Sequence, residues 1–472
     1  MESAAEWAEE EFGGADLDDP RRTRRLCRVS AEVARAPAGT VTGACRSSAS
    51  REGAFRFLEN QAVSVEPIAA AAARAALRRC ASLKRVHVPI DATTLTLTDA
   101  ARVKGFGAVG SWRRGSQGIH VMTALPVDAE GAPLGIATQE LWVRERRSRT
   151  PEKAASSLDP ERETRHWLEV LRRTNEIFLA RAPETEAFYQ LDRGADCWPV
   201  LSLAVEQRLL LTVRGAHDRR VDTRGARLWT EVSRAPVRDA YRILVPARKK
   251  IRKRIRQRDR RIARIIVRKP RVARLVVRAT SVPLLLANGE RVLFNAVFVR
   301  ESHRSDEDRI EWLLLSTHPI RTRADVRAIV SGYALRWKIE EFHRTWKSGI
   351  CRVEDTQLRS RQAVFKWATI LASVATRAMR LTYQARETPD VPATEVLTRN
   401  EIDAIIALRE PKDAEPGDTP TLGQAVRWIA DLGGYVGPWN GPPGPKVIGR
   451  GLDDVLAAAR ALTNLEKMRK KM

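Results

Sequence analysis

Asp91, Asp192 and Glu340 are the side chains whose types could do chemistry together in this chain. Asp91 stands in IDATT, Asp192 in LDRGAD and Glu340 in RWKIEEFHR. Three carboxylates without a His or Cys ligand favour a hard cation, because Mg2+ takes oxygen ligands and keeps water and substrate phosphates in its shell. A pair of such ions, with Mn2+ as a substitute, can activate water or a 3′-hydroxyl and stabilise the leaving oxygen. The reaction class is then phosphodiester hydrolysis or transfer. With 58 acids in the chain, many other triples could be drawn. The elements that carry these three decide whether they meet.

Glu340 lies in Ser331 to Gly349, SGYALRWKIEEFHRTWKSG, which reads as one helix with two faces. Leu335, Ile339, Phe342 and Trp346 recur at helical spacing and form a stripe suited to docking on a core. Tyr333, Glu340 and Lys347 recur by sevens, a drift of only about 20° per heptad, and Arg336 lies beside them. At 1.5 Å per residue that polar row spans about 21 Å, long enough for several nucleotides of a polymer. Arg and Lys would hold phosphates while Glu340 helps to hold the cation. A solvated amphipathic helix would show the same pattern. His343, at the edge of the polar face, reads equally as a DNA contact or as a hydrogen-bonded structural histidine.

The aspartates are expected at strand ends. RVHVPIDATTLTL alternates, SQGIHVMTALPVD and GIATQELWVR follow, and DAEGAP between the last two is a hairpin turn. A helix around Glu161 to Ala180 precedes FYQLDRGAD, a short strand that presents Asp192. This β-β-β-α-β order, with a packed helix downstream, is an arrangement that can bring three acids together. IEWLLLSTHPI reads as a buried strand carrying Trp312, just before the Glu340 helix.

The remaining segments look like flanking domains and an insertion. Helical patterns at Trp7 to Phe12, DPRRTRRLCRVSAEVARAP and REGAFRFLEN form a small N-terminal module. Its Arg21, Arg22, Arg24, Arg25, Arg51 and Arg56 could contact a DNA backbone or be merely solvated. An alanine-rich helix is expected near Ala69 to Ala81. From about Val213 to Arg300 the chain is rich in β-branched residues and arginine, including ARKKIRKRIRQRDRRIARIIVRKPRVARLVVR. Alternation of Arg271, Ala273, Leu275 and Val277 against Val272, Arg274, Val276 and Arg278 predicts at least one strand there, with either a phosphate-facing or a solubilising face. Beyond about Gln362 the patterns are helical.

Lys and Arg number 83, giving a net charge of +25 and a pI near 10.6. That excess predicts a polyanionic partner, nucleic acid first. No run of about 18 apolar residues suggests a membrane span, and the acidic start MESAAEWAEEEF does not resemble a signal peptide. A cytosolic protein without a membrane partner is expected. Cys27, Cys45, Cys80, Cys197 and Cys351 are scattered without metal-ligand spacing and read as reduced and structural.

YALRWKIEEFHRTWKSG resembles the Tyr-(2)-Arg-(3)-Glu-(6)-Lys signature of bacterial cut-and-paste DDE transposases of insertion-sequence family four, the transposon-five type. IDATT, LDRGAD, GSWRRGSQGIHV, TQELWVR, DPRRTRRL, REGAFRFLEN and ADLGGY carry the resemblance in collinear order over nearly the whole chain. It implies a mixed α/β fold: an RNase H-like catalytic core at about 69–368, with an inserted β subdomain at about 213–300. N-terminal (1–68) and C-terminal (369–472) helical domains would bind transposon ends and mediate dimerisation. By the same resemblance Asp91, Asp192 and Glu340 hold two ions, and Tyr333, Arg336 and Lys347 grip phosphates near the cleaved end. Trp312 would stack on a flipped base during hairpin formation, with a core tryptophan in WLLL as the alternative. The implied partners are double-stranded DNA, as terminal inverted repeats and target, and a second copy in a synaptic dimer. A catalytically silent DNA-binding regulator and a structure-selective metal-dependent nuclease are the alternatives. The 248–278 run is denser in arginine than the type leads one to expect.

Overall fold

A computed structural model describes residues 4–110, 115–144, 164–221, 225–245, 248–253, 263–285, 289–304, 308–437 and 442–469. They form a mixed α/β structure of two compact units, one of Met1–Leu210, Ala334–Tyr435 and Pro443–Met472, the other of Leu211–Tyr333 and Val436–Pro442.

The first unit begins with helices α1 (Ala4–Phe12), α2 (Pro20–Arg35), α3 (Val41–Ala44), α4 (Ser48–Glu59) and α5 (Glu66–Ala81). Local chemistry sets their starts. Asp19 accepts from the Arg21 N–H before a proline in the first turn of α2, and Ser47 accepts from the Ser50 N–H at α4. Strands β1 (Arg85–Leu97), β2 (Gly107–Ala108), β3 (Gln117–Ala124) and β4 (Thr138–Trp142) follow. After them come α6 (Thr164–Arg181), β5 (Glu186–Leu191) and α7 (Trp198–Glu206). The expected β-β-β-α-β order is present, with the short β2 added. The sheet runs β2-β3-β1-β5, and β4 pairs with β3. β1 is antiparallel to β3 and parallel to β5. The DAEGAP turn forms as read. Asp128 Oδ1 accepts from the Glu130 and Ala132 N–H groups, and Gly131 supplies the positive φ of 88°.

The second unit contains β6 (Leu210–Arg214), α8 (Leu228–Arg234), β7 (Val237–Val245), β8 (Arg248–Lys253), β9 (Ala263–Arg268), β10 (Arg271–Leu285), β11 (Arg291–Glu301), β12 (Glu311–Ser316) and α9 (Arg323–Ala334). Its sheet is antiparallel in the order β6-β12-β11-β10-β7, with β8 and β9 forming a separate ladder. The alternation read at 271–278 is that of β10: Ala273, Leu275 and Val277 are buried, while Val272 and Arg274 are exposed. The buried set packs with Val297, Val299 and Leu314 and with Val326, Ile329, Val330 and Tyr333 of α9. β12 is the buried strand expected from IEWLLLS. Residues 254–262 of the basic run lie outside the described residues.

The chain re-enters the first unit with α10 (Trp337–Lys347), α11 (Arg361–Glu387), α12 (Arg399–Arg409), α13 (Leu422–Leu432) and α14 (Pro445–Arg469). Trp7, Phe12, Leu26, Phe57 and Leu58 of the N-terminal helices share one apolar core with Ile119 and Val121 of β3, Phe342 and Trp346 of α10, and Trp367 of α11. The helices α12, α13 and α14 centre on another, with Ile402, Ile405, Trp428, Ile429 and Val455 inside. Among the described residues no helix is long and apolar enough to cross a membrane.

Candidate active site

Strand register places the two aspartates. β1 and β5 pair in parallel from Arg85 with Glu186 to Ile90 with Leu191. Asp91 and Asp192 are each the next residue, so their side chains leave the same face from neighbouring strands about 4.8 Å apart. Asp192 follows the end of β5, as expected. Asp91 does not end its strand. β1 continues to Leu97 because β3 still pairs with it after β5 has stopped, with Thr123 opposite Asp91. Each carboxylate spends one oxygen on the backbone. Asp91 Oδ1 accepts from the Ala92 N–H at 2.8 Å and Asp192 Oδ1 from the Gly194 N–H at 2.6 Å.

α10 brings the third acid. Ile339, Phe342 and Trp346 are fully buried and Leu335 partly so, which is the expected stripe, and Trp346 Nε1 donates to the Ala368 carbonyl at 3.1 Å. This docking turns Glu340 toward the aspartates. Arg336 ties them together, its Nη1 donating to Asp91 Oδ2 at 3.1 Å and its Nη2 to Glu340 Oε1. The Asp91 carboxyl is pushed up to about 6, first by burial, then by the charges of Asp192 and Glu340, against the opposing Arg336 and the Ala92 N–H. At the far end of α10, Lys347 Nζ donates to Thr93 Oγ1 at 3.3 Å and lies 3.7 Å from Glu354 Oε1. Thr93 is two residues beyond Asp91 and so shares its face of the sheet.

This donor set fits Mg2+ or Mn2+ in kind: oxygen ligands only, with negative charge that one guanidinium does not balance. Among the described residues no group of three such side chains stands as a finished cation cage. Arg336 lies between Asp91 and Glu340 instead.

The single-helix reading of Ser331 to Gly349 is corrected. α9 ends at Ala334 and α10 begins at Trp337, and the junction is a tightened turn in which the Lys338 N–H bonds the Leu335 carbonyl and the Ile339 N–H that of Arg336. The two ends of the stretch bury apolar faces in different cores, which one straight helix would not serve. Tyr333 therefore does not share a helix face with Glu340 and Lys347. It is 4 % exposed on α9, its ring edge-on to Trp312 at 5.4 Å, within the core of the second unit. Trp312, near the start of β12, is half-buried. His343 is buried, and burial first, then Lys347 and Arg336, pushes its pKa down to about 3, so it is a neutral core residue.

The N-terminal arginines divide by environment. Arg21, Arg22, Arg25 and Arg56 line a cleft of about 340 Å3 between α2 and α4, while Arg24 and Arg51 lie outside its lining. Arg22 is engaged structurally, its Nη1 donating to the carbonyls of Leu17 at 3.0 Å and Ala62 at 3.3 Å. Arg21 pairs with its own helix cap, Asp19, and Arg56 with Glu52.

Sequence reasoning missed two polar features. Thr123 and Gln139 extend the Asp91 row across β3 and β4, with Gln139 Nε2 donating to Thr123 Oγ1 at 3.2 Å while the buried Gln139 Oε1 has no partner. Trp142 is sandwiched between His120 at 5.4 Å and His166 at 3.7 Å, with His166 Nδ1 at 2.8 Å from Glu140 Oε1. The available signal was the alternation in TQELW, which puts Gln139 on the face of Thr123 once the β3–β4 register is known.

Residues 4–63 match the family described as Transposase DNA-binding, and residues 167–376 match the Transposase DDE domain. The second match includes Asp192, Arg336, Glu340 and Lys347. Asp91 lies upstream of it and joins the group through the parallel register. A transposase DNA-binding segment and a transposase DDE domain in one chain lead to one conclusion: the chain carries the domains of a DDE transposase and is a metal-dependent DNA transposase.

Proposed function

We propose that this transposase works by cut-and-paste, in the manner of insertion-sequence family four and the transposon-five type. The observation that carries the reading is the pairing of Ile90 with Leu191, which sets Asp91 and Asp192 side by side, together with Arg336 linking Asp91 to Glu340. Asp91, Asp192 and Glu340 would hold two divalent cations, Mg2+ with Mn2+ as substitute. When bound, these supply an acidified water or 3′-hydroxyl and a sink for charge on the leaving oxygen. Arg336 and Lys347 hold phosphates of the DNA beside that site, Arg336 by its planar fork and Lys347 as a point charge. Tyr333, buried against Trp312 in the core of the second unit, is left out of this grip. Trp312 offers a stacking face to a base turned out of the duplex as a hairpin forms, where stacking is worth about 1–3 kcal/mol.

The exposed Arg21, Arg24 and Arg56, with Arg51, carry the contact to inverted-repeat DNA, and Arg22 braces the helix that presents them. The helices after residue 369 hold two copies together in the synaptic complex, and the bacterial nucleoid is the place of action. The test is a cleavage assay on inverted-repeat DNA with Mg2+. Wild type should give nicked, then hairpin-ended products, then strand transfer. Glu340→Ala should bind ends yet release nothing. Cleavage by that variant would refute the assignment, and wild-type cleavage without strand transfer would point to a nuclease.

A further inference from the structure

We propose that Arg336 is an internal counter-ion that closes the carboxylate site and must leave it as divalent cations enter, so that cation loading frees the guanidinium for DNA phosphate. The inference rests on the functional reading above and concerns its regulation. Both oxygens of Asp91 are engaged, Oδ1 by the Ala92 N–H and Oδ2 by Arg336 Nη1. A cation that claims Oδ2 at the roughly 2.0–2.1 Å that Mg2+ requires sets a second positive charge against the guanidinium on the same oxygen, so the two repel and compete for it. The same holds at Glu340 Oε1, which Arg336 Nη2 occupies.

The group cannot yield by losing its proton, since an arginine stays charged in proteins. It must move, and its place in the chain permits this. Arg336 sits in the tightened turn before α10, and its side chain is 14 % exposed against 16 % for Asp91 and 34 % for Glu340. Three carboxylates and one guanidinium leave two negative charges, which one divalent cation neutralises without help from Arg336. Lys347 is spoken for by Thr93 and Glu354 and does not bridge the acids. Arg336 therefore keeps the resting site from flying apart by like-charge repulsion and is released when the cation takes over that task.

The experiment titrates the full-length chain, without DNA, with Mn2+ and follows free ion by electron paramagnetic resonance. Arg336→Ala should tighten Mn2+ binding by about five- to tenfold, an ordinary coupling between two ligands that exclude each other. Arg336→Lys keeps the charge but cannot bridge two carboxylates in a fork, and should fall between. Equal tightening by Lys347→Ala would overturn the proposal, because removal of any nearby charge would then suffice. If Asp192→Asn loses Mn2+ while Arg336→Ala binds no more tightly than wild type, the counter-ion role falls and the carboxylate site stands. If Asp192→Asn binds as wild type does, the site reading fails and takes this proposal with it. Should Arg336→Ala not fold, the lysine variant decides: tightening supports the role and unchanged affinity overturns it.

Discussion

Replacing Asp91 by Asn should stabilise the metal-free protein while removing its activity. The Asp91 carboxyl is raised from 3.8 to about 6 by burial and by the charges of Asp192 and Glu340. For a carboxyl raised on folding, the native state holds its proton more tightly than the unfolded chain. Stability is therefore lost as pH rises from about 4 to about 6, and the full cost is present at neutral pH. At roughly 1.4 kcal/mol per tenfold in proton affinity, that cost is on the order of 3 kcal/mol. The side chain is 16 % exposed, so solvent screening removes little of it. Asn keeps an oxygen for the Ala92 N–H or the Arg336 guanidinium and carries no charge, so the penalty disappears. Urea unfolding in the presence of a chelator, read by tryptophan fluorescence, should show Asp91→Asn gaining about 2–3 kcal/mol at pH 7.5 and almost nothing at pH 4. An Asn variant that is no more stable at pH 7.5, or whose gain does not change with pH, would refute the reasoning.

Trp346→Ala should cost about 3–5 kcal/mol in the same unfolding assay, because the fully buried ring leaves a cavity and its Nε1–H bond to the Ala368 carbonyl is lost. Arg24→Ala should leave stability unchanged and lower the salt slope of end binding by about one, since Arg24 is exposed on α2. Arg22→Ala should instead destabilise the N-terminal helices by about 1–2 kcal/mol through two lost carbonyl contacts, visible as earlier loss of helical circular dichroism.

Much of the fold was legible because local rules act over short distances. The helical pattern of DPRRTRRLCRVSAEVARAP, the DAEGAP turn, the alternation at 271–278 and the Ile339, Phe342, Trp346 stripe depend on neighbours within a few residues. What depends on a partner strand was not. Asp91 read as a strand end because the pattern cannot tell that β3 goes on pairing after β5 stops. The break at Leu335–Arg336 carries no proline; Tyr333 packs in one core and Ile339 in another, and no local pattern marks that change. The N-terminal helices read as a small module, yet Trp7 and Leu58 lie in the same core as Trp346. The juxtaposition of Asp91 with Asp192 required the register of two strands a hundred residues apart, which residue types alone do not encode.

Affinity cleavage tests the central claim most directly: Fe2+ loaded in place of Mg2+, with ascorbate and peroxide, cuts the backbone around whatever side chains ligate it. The account predicts cuts clustered at residues 91–92, 192–193 and about 340, suppressed by excess Mg2+ and lost together in Asp192→Asn. Cuts confined to one of these segments, or unaffected by that substitution, would contradict a shared site.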